Sequence, residues 1–227
     1  MTTLAMHAAD GLLDAPTSVL FGVVAVAGLA VAVARARRDL DDRTAPLAGL
    51  VAAFVFAVQM LNFPVLPGVS GHLLGGALAA ILVGPWAGAL CVGVVLVLQA
   101  LLFADGGLTA LGANITNMAL LGTAAGFAVA VALRRFATRS PAGLAAVAFT
   151  AALVNTVVAA AGFVVEYAIG GQGAVSLGGF AAALLGVHVL IGIGEGIITA
   201  LTVGAVASAR PDLVYLLRGR QSSEVTA

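Results

Sequence analysis

The amino-acid sequence predicts an all-α integral membrane protein, a bundle of seven transmembrane helices with the N-terminus outside the cell and the C-terminus in the cytoplasm. Composition, long uncharged stretches and the placement of arginine lead to this prediction. Of the 227 residues, 62% are apolar and only 9% are charged, with a mean hydropathy of +1.15. A soluble domain carries about 25% charged residues to cover its surface. The composition therefore excludes a soluble globular protein.

Stretches without Asp, Glu, Lys or Arg provide the candidate spans. A helix needs about 20 apolar residues to cross the hydrocarbon core. Because no water is present there to satisfy the backbone polar groups, helices are the natural form for such stretches. The first ten residues lack both the basic region and the apolar core of a signal peptide, so we expect the first span to be retained. The uncharged stretches are 15–34, 44–104, 106–133, 140–165, 167–194 and 196–209.

The arginines set the number of crossings. All ten basic residues are arginines, and they form three clusters within 35–43, 134–139 and 210–220. The positive-inside rule places every cluster in the cytoplasm, so the chain crosses an even number of times between two clusters. Residues 106–133 make one crossing, so residues 44–104 make one or three. Three crossings fit the length of this stretch, with breaks at 62–68 and at Gly84-Pro85. Residues 140–209 make two crossings, with a turn near 170–173, and the residues before Arg35 make one, so the total is seven.

We therefore expect one transmembrane domain over residues 1–210 and a short cytoplasmic tail over 211–227, which is polar at its end and frays. The single cysteine, Cys91, lies in an apolar stretch as a small buried residue and excludes an internal disulfide. A chain without lysine has no Gly-Lys-Ser/Thr phosphate loop. If ATP drives this protein, the ATPase is another polypeptide.

The three histidines are the candidate functional residues. His7 lies in the outer N-terminal segment after Met6, and His72 lies at the outer end of the third predicted span. Two imidazoles on one side of a membrane protein can bind a transition metal, but spacing alone favours polar caps at the membrane interface. His188 and Glu195 share one face of the last span. Ionisable groups at that depth usually face the bundle interior, and we favour a structural hydrogen-bonded pair over a second metal site.

Several motifs resemble one family, the substrate-binding (S) components of cobalt/nickel energy-coupling-factor transporters. Met6-His7 followed by Asp10-Gly11-Leu12-Leu13 is similar to the family's MHxxDGxL opening. The similar blocks run in order and cover nearly the whole chain from residue 6 to about residue 200. They are FVFAVQMLNFPVLPGVSGHLLGGAL at 54–78, GPWAG at 84–88, QALLFADGGLTALGANITNM at 99–118 and HVLIGIGEGIITA at 188–200.

The resemblance implies a seven-span subunit of the cell membrane that captures Co²⁺ or Ni²⁺ outside and delivers it to the cytoplasm. The metal is then a transported substrate and not a cofactor, and the chain is not an enzyme. The implied partners are a transmembrane coupling subunit, two ATPase subunits and often a small two-span membrane subunit, with no nucleic acid. Cobalt and nickel members share these motifs, and we favour cobalt slightly.

The resemblance also implies the metal ligands, within an outer metal-binding segment over residues 1–14. They are the terminal amine of Met6, the amide and ring of His7, and the ring of His72. Four nitrogens in a plane suit Ni²⁺ and low-spin Co²⁺, whereas Mg²⁺ and Ca²⁺ seek oxygen and Zn²⁺ prefers a tetrahedral site. Because the amine must be free and the five preceding residues are too short for a leader, we expect translation to start at Met6.

Two other functions fit parts of the sequence. A secondary transporter could be driven by protons through Glu195, and its metal uptake would survive loss of an ATPase but collapse with an uncoupler. An intramembrane hydrolase could use His188, Glu195 and a metal, but the sequence lacks the pair of histidines one turn apart that typifies a zinc hydrolase.

The predicted topology can be tested with single cysteines at Ala104 and at Ser140, in a chain whose Cys91 is replaced by alanine. We expect an impermeant thiol reagent added to intact cells to label position 104 and not position 140, since the latter lies in the second arginine cluster. Labelling of position 140 without position 104 would contradict the seven-span arrangement.

Overall fold

The computed structural model describes residues 8–41, 44–66, 69–103 and 105–220. Most of this part is helical. The α-helices are α1 (Ala15–Asp39), α2 (Thr44–Gln59), α3 (Gly76–Val83), α4 (Pro85–Leu102), α5 (Leu111–Asn114), α6 (Thr123–Ala132), α7 (Arg134–Ala137), α8 (Pro141–Gly170) and α9 (Leu177–Ala209). A π-helical stretch, Ile115–Gly122, joins α5 to α6, and two 3₁₀ turns, Pro211–Leu213 and Tyr215–Arg220, follow α9.

Five helical segments are long and apolar enough to cross a membrane: α1, α4, the continuous unit Leu111–Ala132, α8 and α9. This confirms the prediction of a multi-pass helical membrane protein. The other two predicted spans correspond to α2, with 16 residues, and α3, with 8 residues. At 1.5 Å per residue, α3 extends only about 12 Å of the roughly 30 Å hydrocarbon core. The count of seven therefore stays a prediction.

A β-hairpin occupies the predicted break at 62–68 and continues through His72, where the sequence predicted the start of the third span. Strand β1 (Asn62–Leu66) pairs antiparallel with β2 (Val69–His72), with Asn62 opposite His72. Every residue of β2 is buried. Irregular backbone at membrane depth is tolerated only where protein surrounds it. The all-α expectation is wrong for this segment: His72 ends a strand, and the helix begins four residues later at Gly76.

The start of α3 is held by a carboxylate from another helix. Its N-cap residue, Gly75, has a φ of +77° and no side chain to cap the helix. Instead, the Glu195 carboxylate accepts hydrogen bonds from the backbone N–H groups of Leu74 (2.7 Å) and Gly75 (3.0 Å). Thr156 Oγ1 (3.0 Å) and Asn155 Nδ2 (3.3 Å) also donate to it. The first N–H groups of a helix lack intrahelical partners and favour negative charge, so Glu195 fixes the junction between β2 and α3.

The segment before α1, residues 8–14, is attached to the turn between α8 and α9. The Asp14 N–H donates to the Gly170 carbonyl (2.7 Å), and the Gln172 N–H donates to the Leu12 carbonyl (2.9 Å). The Asp14 carboxylate also caps α1 by accepting the Thr17 N–H (2.9 Å). The hydrogen bonds from Thr17 lower the pKa of Asp14. This attachment fixes where α1 begins.

The described part of the tail packs against the bundle at the far end of α3 from the hairpin. Val214 and Leu216 are buried, and the Tyr215 ring lies against Gly84, the residue that separates α3 from α4. Arg134 Nε donates to the Leu216 carbonyl (2.9 Å). The expectation that the tail frays is therefore wrong for residues 211–218, because their apolar side chains are packed against the bundle; residues 221–227 lie outside the described residues.

Replacing Glu195 with glutamine should destabilise the protein. The glutamine amide would turn an N–H₂ group toward one of the backbone N–H donors and leave it unpaired, at a cost of about 1–3 kcal/mol. We expect the thermal unfolding midpoint of the purified protein to fall by several degrees.

Glu166→Gln is the matched control. Glu166 is also a buried glutamate, but within the described part of the chain no backbone N–H donates to it, and the Asn117 side chain is its polar neighbour. The same change there should leave the midpoint unchanged or raise it. Equal effects at the two positions would show that the cap on α3 contributes nothing.

Candidate metal site

A small cavity lies between β2, the segment before α1 and the helices α8 and α9. It has about 30 Å³ of space for water-sized molecules. One water needs roughly 10–15 Å³ on this measure, so the cavity suits a metal ion or one to two waters and not a larger organic ligand. Its polar lining comes from Ser70, His72, Asn114 and His188, and its apolar lining includes Ala8, Leu12, Phe163 and Phe180.

His72 presents one ring nitrogen in the form that binds a metal. The side chain is 3% exposed, and Nδ1 lies 2.8 Å from the Leu73 carbonyl oxygen. A carbonyl can only accept, so Nδ1 carries the proton and Nε2 carries the lone pair. Histidines that bind metals almost always donate their other ring N–H in this way. The backbone next to His72 thus selects the tautomer that a metal requires.

His188 lines the same cavity, which the sequence analysis did not foresee. Its Nδ1 lies 2.8 Å from the Leu184 carbonyl oxygen, one turn earlier on α9. Its Nε2 lies 3.2 Å from the position that a Cβ on Gly71 would occupy, so the ring packs on the backbone of β2. Because the Leu184 carbonyl can only accept, Nδ1 of the neutral His188 ring carries the proton and Nε2 carries the lone pair.

The predicted hydrogen-bonded pair of His188 and Glu195 is wrong. Seven residues separate them by about 10.5 Å along α9, and each has nearer partners. His188 bonds to the Leu184 carbonyl of its own helix, whereas Glu195 accepts from the start of α3 and from α8. Both groups are buried, as the sequence suggested, but they act in different places.

Of the predicted ligand residues, the structure places His72; Met6 and His7 lie outside the described residues. Ala8, which follows His7 in the chain, is 5% exposed and lines the cavity. Within the described ranges, no three His, Cys, Asp or Glu side chains form a group that could hold a metal ion.

Asn114 is a further polar residue of the cavity. It is 2% exposed, and its Oδ1 has no hydrogen-bond partner within the described part of the chain. Buried polar groups are normally paired, so an amide turned into a cavity is suited to contact a bound ligand or water. The sequence analysis did not assign Asn114 to the site. The available signal was its place in the 99–118 block shared with the resembled family.

A multi-pass helical membrane protein with two buried imidazoles on one ion-sized cavity has the architecture of a membrane metal transporter. The chain belongs to the family described as CbiM, cobalt uptake substrate-specific transmembrane region, whose family model matches residues 7–213. It is thus a membrane component of cobalt/nickel transport of the CbiM type and a multi-pass membrane protein.

Relatives in other organisms are similar over most of the chain. The "Putative fused nickel transport protein NikMN" of Archaeoglobus fulgidus is 43% identical over 92% of this chain and 68% of its own length. The "Cobalt transport protein CbiM" of Sorangium cellulosum is 33% identical over 94% of this chain and 96% of its own length. Both names describe metal transport proteins, which agrees with a chain that is not an enzyme.

A solved structure has the same fold. The crystal structure of a transition metal transporter superposes with a TM-score of 0.79 at 27% identity, covering 90% of this chain and 93% of that chain.

Proposed function

We propose that this chain is the substrate-binding S subunit of an ATP-driven energy-coupling-factor importer for Co²⁺ or Ni²⁺. It binds the ion on the outer side of the membrane and delivers it to the cytoplasm through a seven-pass bundle with the N-terminus outside. The observation that carries the proposal is that buried His72 and Ala8 line one ion-sized cavity. Ala8 directly follows His7 in the chain, and this connection supports a site that joins Met6 and His7 to His72.

The proposed ligands are the Met6 amine, the His7 amide and ring, and His72 Nε2. A free N-terminal Met-His places amine, amide and imidazole in fused chelate rings that share a plane. His72 supplies the fourth nitrogen, and its Nδ1 contact with the Leu73 carbonyl (2.8 Å) supports Nε2 as the ligand. Four nitrogens in a plane suit Ni²⁺ and low-spin Co²⁺, so geometry selects the metal more than affinity does.

ATP hydrolysis takes place on other polypeptides in this proposal. The chain has no lysine and so no Gly-Lys-Ser/Thr phosphate loop. The partners are a transmembrane coupling subunit, two ATPase subunits and a small two-span membrane subunit. They reorient the S subunit so that the site opens to the cytoplasm.

The structure favours this function over the two alternatives. The Glu195 carboxylate accepts hydrogen bonds from two backbone N–H groups and two side chains, so a proton carrier at this position would break the cap on α3 in each cycle. An intramembrane hydrolase would need His188 and Glu195 at one metal, whereas their hydrogen bonds lie at different elements.

Replacing His72 with alanine should sharply weaken metal binding. Even residues that only orient a ligand change metal affinity 10–100-fold, so loss of one of four ligands should exceed about 100-fold. The measurement is equilibrium dialysis of the purified protein against Ni²⁺ and Co²⁺. Added imidazole should restore part of the affinity by entering the space that His72 leaves. Stoichiometric metal held as tightly as in the wild type would contradict the assignment.

Replacing His188 with alanine should lower the yield of folded protein more than it lowers metal affinity. The reason is that its ring bonds to the Leu184 carbonyl and packs on Gly71, which supports β2. Yield after size-exclusion chromatography and affinity of the folded fraction separate the two effects. An affinity loss as large as that of His72→Ala would make His188 a ligand.

The start of the chain provides a further test. Protein that begins at Met6 with an unacetylated amine should bind metal, whereas protein that retains residues 1–5 should fold normally and bind poorly. Binding should also weaken as the pH falls, because protons compete for the amine, the amide and the imidazoles. Intact mass spectrometry of protein expressed from its own gene identifies the first residue. Metal transport by a protein that starts at Met1 would defeat the amine ligand.

A further inference from the structure

The loop between α4 and α5 is hydrogen-bonded to residues 8–10, in the segment before α1. The Gly107 N–H donates to the Ala8 carbonyl (2.9 Å). The Asp10 carboxylate accepts both the backbone N–H (2.8 Å) and the hydroxyl (2.6 Å) of Thr109. Residues 105–110 thus contact the same short stretch through backbone and side chain.

Gly107 allows the two backbones to touch. A Cβ at Gly107 would collide with the backbone nitrogen of Asp10 and would stand 2.7 Å from the carbonyl carbon of Ala9. Gly107 is not among the glycines with positive φ, so space and not backbone conformation requires glycine here. An alanine would push residues 8–10 away from the loop without straining the loop itself.

This contact is separate from the one that sets the start of α1. Leu12 and Asp14 are bonded to the turn between α8 and α9, independently of residues 105–110. The loop is hydrogen-bonded to Ala8 and Asp10, and Ala8 is the residue that follows the proposed ligands Met6 and His7 in the sequence.

We propose that Gly107 and Thr109 are positioning residues for the metal site, which seat residues 8–10 so that the Met6-His7 chelate meets His72. The inference rests on the proposed function. Three of the four proposed donors lie at a chain terminus, and ordering a terminus costs conformational entropy when the metal binds. A segment that is already seated loses less, so binding is tighter and dissociation slower.

The test compares Gly107→Ala with Gly178→Ala in the purified full chain, with Ni²⁺ as the probe. Gly178 lies at the start of α9, and a Cβ there meets nothing within 4 Å. Gly107→Ala should weaken Ni²⁺ binding at least about tenfold, as for residues that orient ligands, and should speed Ni²⁺ release to a chelator. Gly178→Ala should change neither and should keep the wild-type unfolding midpoint, whereas the backbone clash should lower the midpoint of Gly107→Ala, so its Ni²⁺ affinity is measured on the folded fraction.

Thr109 provides a second pair that does not risk a steric clash. Thr109→Val removes the hydroxyl that donates to Asp10 but keeps the shape, whereas Thr109→Ser keeps the hydroxyl. Valine should weaken Ni²⁺ binding several-fold, and serine should restore it, with equal unfolding midpoints in both. If Gly107→Ala fails to fold, this pair decides the question.

The outcomes separate the two proposals. Wild-type protein with a native Met6 terminus that binds no Ni²⁺ would overturn the proposed function. Wild-type protein that binds Ni²⁺ together with Gly107→Ala or Thr109→Val variants that bind equally well would overturn only the role of the loop. A loss of affinity matched by a loss of stability in Thr109→Val, without rescue by serine, would also overturn it.

Discussion

The Glu195 carboxylate holds together the part of the protein that deviates from a simple helix bundle. The hairpin directly precedes α3, so α3 starts inside the protein, where its first N–H groups are buried. Glu195 satisfies the N–H groups of Leu74 and Gly75, two to three residues after His72. An ionised group at this depth is costly unless its bonds are satisfied, and donors from α8 complete its set. The position of His72 therefore depends on a residue of the last long helix.

Composition and arginine placement predicted the membrane class, because the length and polarity of a span follow directly from the bilayer. The hairpin could not be predicted in this way. Asn62, Pro64 and the Pro67-Gly68 pair marked a break between spans in the sequence, but they did not indicate that the residues on either side of the break pair as strands, with β2 buried and the Glu195 cap following it. Hydrophobicity reports that a segment is buried, but it does not report which other segment satisfies the backbone.

The same limit applies to the site. His72 was a candidate because it follows the break after the second span, but His188 was assigned to a pair with Glu195 because both lie on one face of one helix. In the folded chain, different turns of that face contact different parts of the protein. His188 meets Gly71 and the cavity, while Glu195 meets the start of α3. Periodicity gives the face of a helix, and tertiary packing decides what each turn of that face contacts. Asn114 was missed for the same reason.

The two sides of the proposed metal site differ in how they are held. His72 is fixed by the hairpin, and its tautomer is set by the neighbouring carbonyl before any ion arrives. The proposed donors Met6 and His7 precede a segment that is hydrogen-bonded to two separate loops. Residues 8–10 are bonded to the loop between α4 and α5, and residues 12–14 are bonded to the turn between α8 and α9. A planar four-nitrogen site releases its ion only when donors move apart, and most of the proposed donors belong to Met6 and His7. The contacts between residues 8–10 and the loop between α4 and α5 are separate from the hydrogen bonds that hold the start of α1 and the residues after His72.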